Sequence, residues 1–215
     1  MGKVAIVIGA TGLVGRAVVD NLTQLDSIER IIALTRHAFD YDSEKVKNHV
    51  IDFDLLEDYA IYFQGDMLFS CLGTTLKQAG SIQAQYKVDV DYQLRAAKLA
   101  AQQGIPHYLL VSSSGASACS RSAYLSMKGE LEEAIQLLPF SRISVFQPSL
   151  LLGKRSEYRV VESLASYFLP IITMVPRIRR YRPIQATEVA AKMVLVSQSS
   201  GKALEFFKLD DIFVN

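Results

Sequence analysis

The chain has no tryptophan, two cysteines, three histidines and six prolines among its 215 residues, and its formal net charge is only +1. Each scarcity removes a class of protein. Cys71 and Cys119 cannot build a dense disulfide framework, so a reducing compartment is the simpler expectation. His37, His49 and His107 are scattered, without the spacing of a metal site. A charge near zero gives no global field toward nucleic acid or an anionic membrane, and neither is expected as a partner. Long apolar runs are also missing. The first ends in a glycine turn after five residues, too short for a signal peptide. The second, Leu164 to Val175, is interrupted by Pro170 and is too short to span a bilayer. Met1-Gly2 does not read as a myristoylation start, because Ile6 stands where Ser or Thr is needed. These absences lead to the expectation of a soluble cytoplasmic protein. There is no internal repeat, low-complexity run or linker.

Half of the residues are hydrophobic, enough for a substantial core. They fall into short apolar runs alternating with helical patterns, the signature of a parallel sheet covered on both faces. Strands are expected at Val4–Ile8, Arg30–Leu34, Val50–Ile51, Met67–Cys71, Tyr108–Val111 and Ile143–Phe146. Helices are expected after the first strand, over about 83–103 with Leu94, Ala97, Leu99 and Ala101 on the packing side, and over about 122–138. The predicted fold is a doubly wound α/β domain with a small C-terminal cap. Residues 1–153 form the nucleotide-binding core. Residues 154–215 hold the substrate cap and the elements that complete the same domain. A helix near 160–168, a basic loop, a helix over 187–196 and a strand near 204–207 are assigned to that cap.

The most informative stretch is the first turn. An apolar strand runs into Gly9-Ala10-Thr11-Gly12-Leu13-Val14-Gly15, and a helix follows with Ala17, Val18 and Leu22 at helical spacing. A glycine fingerprint carries weight only in that strand–turn–helix order. Gly9 turns the chain sharply, Gly12 lets backbone approach a diphosphate, and Gly15 lets the helix pack on the strand. The N–H groups and positive dipole end of the helix then face the phosphates. The second strand ends in Thr35-Arg36, where an NAD site has a carboxylate for the ribose hydroxyls. A guanidinium there binds a 2′-phosphate instead, and Arg16, directly after the last fingerprint glycine, can join it. The expected cofactor is therefore NADP(H). Asp52-Phe53, after the third strand, is placed beside the adenine, with the carboxylate accepting from the exocyclic amine. Cys71-Leu72-Gly73-Thr74-Thr75, after the fourth, should line the ribose and nicotinamide side, with Cys71 a small core residue rather than a nucleophile.

Tyr124 and Lys128 lie one helical turn apart, so phenol and ammonium share a face. A phenol ordinarily titrates near 10, and a neighbouring ammonium favours its ionised form. Tyr124 can then exchange a proton with a carbonyl or alcohol oxygen while a nicotinamide moves a hydride, and Lys128 can hold the nicotinamide ribose. Ser112-Ser113-Ser114 closes the fifth strand. Ser113 and Ser114 are the candidates to bind the substrate oxygen, and the residues alone do not choose between them. Pro176-Arg177-Ile178-Arg179-Arg180-Tyr181-Arg182-Pro183 offers arginines for an anionic substrate, but is read as a solvated loop or subunit contact.

Together these stretches resemble the atypical short-chain dehydrogenase/reductases, and more narrowly the Tat-interactive-protein oxidoreductase family and its bacterial relatives. The glycine turn carries the likeness together with Asp52-Phe53, Cys71 to Thr75 with Lys77 and Ala79-Gly80, and Val88-Asp89-Val90-Asp91-Tyr92. Ser112-Ser113 with Gly115-Ala116, Tyr124-Leu125 with Lys128-Gly129-Glu130, and Ser144-Val145-Phe146 with Pro148 extend it over about the first 155 residues. The resemblance implies a Rossmann fold, bound NADP(H), proton-transfer roles for Tyr124 and Lys128, and Ser113 as the matched serine. Two positions depart from the superfamily pattern. Asp89 stands where many members carry the Asn of a proton relay. Gln147-Pro148, on the cofactor side of strand six, replaces the Arg-Pro of the extended enzymes. The expected activity is reduction or oxidation of a small carbonyl/alcohol pair. The alternative is an NADP(H)-sensing protein that signals through a regulatory partner with little turnover, and a homodimer is equally open.

Overall fold

The computed structural model describes residues 2–152 and 182–213. Seven parallel strands form one sheet. In chain order they are β1 (Lys3–Ile8), β2 (Ile28–Thr35), β3 (Val46–Val50), β4 (Met67–Ser70), β5 (His107–Val111), β6 (Arg142–Gln147) and the strand Leu204–Lys208, which becomes β9 after the two-residue parallel pair β7 (Leu151–Leu152) and β8 (Ile184–Gln185). The spatial order is β3-β2-β1-β4-β5-β6-β9. Helices cover both faces: α1 (Leu13–Thr23), the short α2 (Leu76–Ala79) and α3 (Ile82–Tyr86), α4 (Tyr92–Gln102), α5 (Ala123–Ile135) and α6 (Ala186–Gln198).

The inner strands read as unbroken apolar runs because both of their sides are buried. Alternate residues enter different cores. Ala5, Val7, Ile31, Ala33, Leu109 and Val111 pack with α1 and α6. Ile6, Ile8, Ile32, Leu34, Tyr108 and Leu110 pack beneath α4 and α5. Chain order reverses beside β1, whose neighbours are β2 and β4. A crevice opens there, outside the carboxyl ends of the strands, between the turn after β1 and the loop after β4.

Several expectations change. The third strand is Val46–Val50, earlier than its apolar end suggests. It is an edge strand with no fully buried residue, so Lys47, Asn48 and His49 hide it from a reading of apolar runs. A 3₁₀ segment, Phe53–Tyr62, follows with Asp52 as its cap. The expected long helix over 83–103 is interrupted by a π turn at Lys87–Asp91. A π turn carries an extra residue and shifts the phase of the helix that follows. The buried face of α4 is accordingly Gln93, Ala96, Ala97, Leu99 and Ala100, with Leu94 and Ala101 at its margins.

The C-terminal helix and strand do not form a cap. α6 lies on α1 and adds Val189, Ala190, Met193 and Val194 to the same core as Val7 and Val18. β9 pairs with β6 as the last strand of the sheet. The apolar residues of α6 finish the covering of one sheet face, while β9 sends Phe207 to that core and Phe206 to the opposite one, which sequence position alone did not reveal. The helix expected near 160–168 and Arg177, Arg179 and Arg180 lie outside the described residues. Arg182 stacks on Phe213 at 3.8 Å and faces Asp210 at 3.7 Å. Among the described residues no helix is long and apolar enough to cross a membrane.

Candidate nicotinamide dinucleotide site

The glycine turn has the geometry of a phosphate cradle. Gly9 has φ +75°, a left-handed conformation that side chains resist. A Cβ on Gly15 would lie 2.2 Å from the Gly9 carbonyl oxygen, so only glycine permits this contact of helix and strand end. Gly12 caps α1 without a side-chain hydrogen bond. The first-turn N–H groups of α1 therefore remain for an anion, with the positive end of the helix dipole behind them. No acidic side chain lies in that turn to compete.

Two cavities meet at this edge and share Leu72, Gly73, Thr74 and Gln78 as a common wall. The larger, about 810 Å³, is lined by Arg36, Asp52, Phe53 and Tyr59 among others. The smaller, about 230 Å³, is lined by Gly12, Leu13, Val14, Cys71, Thr75, Asp89, Tyr124 and Lys128. The trough therefore gathers residues from the glycine turn, the β2 end, the β3 end, the β4 loop and α5. The helix start without a side-chain cap and the paired cavities offer room for a dinucleotide, with Arg36 and Asp52 at one end of the trough and Tyr124 and Lys128 at the other.

At the Arg36 end, β2 finishes in buried Thr35 and exposed Arg36 with no carboxylate. Arg36 enters no ion pair among the described residues. Asp52 accepts the Asp54 N–H at 2.8 Å, which fixes its carboxylate at the pocket edge. The outer wall is held by Asp54, which faces Lys87 at 2.6 Å and accepts from the Tyr92 hydroxyl at 2.8 Å. Those contacts, led by the Lys87 hydrogen bond, hold the Asp54 carboxyl below its ordinary range. Arg16 does not line this cavity. Its guanidinium stacks over Phe39 at 4.7 Å and borders a separate cavity of about 570 Å³. Thr11 is exposed at the tip of the turn.

At the other end, α5 presents Tyr124 and Lys128 on one face. Tyr124 is 39% exposed, whereas Lys128 is 3% exposed. The ammonium lies 5.9 Å from the Tyr124 ring centroid. Lys128 is paired with fully buried Asp89 of the π turn at 2.8 Å. Burial pushes the Cys71 thiol up to about 12, so it stays protonated at neutral pH.

The three serines separate. Ser112 is buried and its hydroxyl donates to Glu132, one turn beyond Lys128 on α5. Gln147 donates to both Glu132 oxygens at 2.9 Å. Gln147 is thus occupied beneath the site rather than lining it. The Pro148 carbonyl receives the Ser114 N–H at 2.8 Å, and Ser113 accepts the Ala116 N–H at 3.1 Å. Ser113 and Ser114 are both half-buried in this turn, and neither lines the smaller cavity. Burial raises the Glu132 carboxyl above its ordinary value, opposed by the Gln147 and Ser112 hydrogen bonds. Sequence reasoning missed Glu132, although Tyr124, Lys128 and Glu132 follow one another at intervals of four. It named Asp89 without its pairing, because the π turn breaks the helical phase that relates residue 89 to its surroundings.

Residues 5–146 match the family described as "NAD dependent epimerase/dehydratase family". The rat protein HTATIP2 is 35% identical over 190 residues, covering 80% of this chain and 78% of that one. Protein FMP52, mitochondrial, of Saccharomyces cerevisiae is 30% identical over 216 residues, covering 96% and 94%. Among solved structures, MoeE5 in complex with UDP-glucuronic acid and NAD superposes with a TM-score of 0.72 at 13% identity, covering 95% of this chain and 75% of that one. A short-chain dehydrogenase/reductase superfamily protein from Agrobacterium tumefaciens with bound NAD gives 0.72 at 13%, covering 96% and 77%. At such identity these two establish the Rossmann-like fold alone. The fungal relatives correct the expected compartment: they are named mitochondrial, against a cytoplasmic placement. Few cysteines and a charge near zero do not select one compartment over another. With two thirds of its length matched and relatives above 30% identity over most of it, the chain belongs to the NAD-dependent epimerase/dehydratase family and resembles its Tat-interactive-protein members.

Proposed function

We propose that the protein is an NADP(H)-dependent oxidoreductase acting on a small carbonyl/alcohol pair. The observation that carries this reading is the smaller cavity, where the uncapped start of α1, half-exposed Tyr124 and buried Lys128 face one space. A bound nicotinamide supplies the hydride. The first-turn N–H groups of α1 bind the diphosphate, and the Lys128 ammonium holds the adjoining ribose hydroxyls. Tyr124 Oη gives a proton to the substrate oxygen during reduction and takes it back during oxidation. Arg36, which forms no ion pair among the described residues and stands at a β2 end without a carboxylate, supports NADP(H) over NAD(H).

The test is titration of the purified protein with NADPH and NADH, followed by NADPH oxidation against a panel of aldehydes and ketones. NADPH should bind more tightly and be consumed with at least one carbonyl. Tyr124→Phe should abolish that consumption and leave NADPH binding within about two-fold, because Tyr124 acts on the substrate oxygen. Unchanged turnover in Tyr124→Phe overturns the mechanism. Tight NADPH binding with no turnover by the unaltered protein transfers support to the sensing role.

A further inference from the structure

The chemistry proposed above uses Lys128 but leaves its partner unassigned. Asp89 is fully buried, and each carboxylate oxygen meets a different element of the site. Oδ1 faces the Lys128 ammonium at 2.8 Å as an ion pair and accepts no aligned hydrogen bond. Oδ2 accepts the Thr74 backbone N–H at 3.2 Å. Gln85, also buried, donates to the Thr74 carbonyl at 3.2 Å, so both polar groups of the Thr74 backbone are tied to the segment that carries Asp89. The segment is itself anchored: the Asp89 carbonyl accepts from Gln93 at 2.8 Å, and Gln93 accepts from Ser70, at the carboxyl end of β4, at 2.8 Å. A Cβ on Gly73 would come within 3.5 Å of Asp89 Oδ1, so the β4 loop runs directly over the carboxylate.

We infer that Asp89 is a positioning residue that fixes Lys128 and the Leu72–Thr75 loop relative to each other, so that the nicotinamide half of the dinucleotide is held between them. The inference rests on the proposed NADP(H) reading. Both partners of Asp89 are donors, one of them a cation, and only a carboxylate offers two acceptor oxygens. An Asn would place an N–H₂ against either the ammonium or the Thr74 N–H, leaving one donor facing another in a buried site. An Asn placed here therefore cannot reproduce this arrangement. The π turn at Lys87–Asp91 is what brings residue 89 inward between loop and lysine. The adenosine end depends on other groups, Arg36 and Asp52, and Asp89 does not line the larger cavity.

The test compares two probes on the full chain: NADPH, and 2′,5′-ADP, which lacks the diphosphate-linked nicotinamide ribose. Asp89→Asn should weaken NADPH by about ten-fold or more, in line with loss of a charged buried contact, and change 2′,5′-ADP by less than about three-fold. Asp89→Glu keeps the charge but displaces the fork by one methylene, and should show the same selective loss. It carries the comparison if the Asn variant does not fold. Asp91→Asn, two residues along and exposed, should leave both affinities unaltered. Equal weakening of both probes, or no weakening of either, overturns the positioning role and leaves Asp89 as a structural counter-ion. Failure of the unaltered protein to bind either probe would instead remove the NADP(H) reading itself.

Discussion

Replacing Glu132 separates two contributions to the stability of the strand ends beneath the site. The carboxylate accepts from the Ser112 hydroxyl and, at 2.9 Å on each oxygen, from the Gln147 amide, thereby tying β5 and β6 to α5. Glu132→Ala leaves both of these buried groups without that acceptor. Each orphaned group costs about 1–3 kcal/mol, so the pair costs about 2–6 kcal/mol. For a chain of this size each kcal/mol lowers the midpoint by about 2–4 °C, which predicts a fall of about 4–24 °C. Glu132→Gln should behave differently. Its amide oxygen accepts from Gln147, its N–H₂ donates to Ser112, and the expected change at neutral pH is within about 1 kcal/mol. The pH dependence has a definite sign. Burial raises the Glu132 carboxyl in the folded state, so ionising it penalises the fold. That penalty is absent below the ordinary carboxylate value near 4.3 and grows as pH rises from there through the raised folded value. The Gln variant should therefore gain on the unaltered protein between about pH 4.3 and neutrality. Thermal melts of all three proteins at several pH values measure this. A Gln variant as unstable as the Ala variant, or one whose difference from the unaltered protein ignores pH, refutes the reasoning.

Arg36→Ala should cost NADPH about 10–100-fold in affinity through loss of charge-assisted hydrogen bonds, while NADH changes little; parallel fluorescence titrations decide it. Gly15→Ala forces a methyl group to within 2.2 Å of the Gly9 carbonyl, and should destabilise the fold by about 1–3 kcal/mol and abolish dinucleotide binding, measured by denaturant unfolding and NADPH titration. His107 hydrogen-bonds Ser144 at 2.9 Å, and burial, reinforced by the Arg142 and Lys3 charges, lowers its pKa to about 3. It stays neutral when folded but binds a proton near pH 6.5 when unfolded, so stability should fall by up to about 1.4 kcal/mol per pH unit from about 6.5 toward the folded value. His107→Gln should flatten that slope in acid-denaturation curves.

The sequence by itself determined what depends on neighbouring residues. Alternating apolar runs and helical periods mark the parallel sheet, because burial of both strand faces leaves a local imprint. Three glycines between strand and helix mark the phosphate turn, because only glycine allows those close backbone contacts. An interval of four places Tyr124 and Lys128 on one face of α5 before any tertiary contact is known. What required the folded chain depends on partners distant in sequence. Whether residues 186–208 cap the site or complete the sheet is decided by which apolar face of the core they cover. The direction of Arg16 is decided by Phe39, and the fate of Ser112 by Glu132. The pairing of Asp89 with Lys128 crosses 39 positions and depends on a π turn that shifts the helical register. Periodicity ranks residues by the face they share within an element. It does not say which side chain from another element will meet them, and the polar partners of this site are fixed at that level.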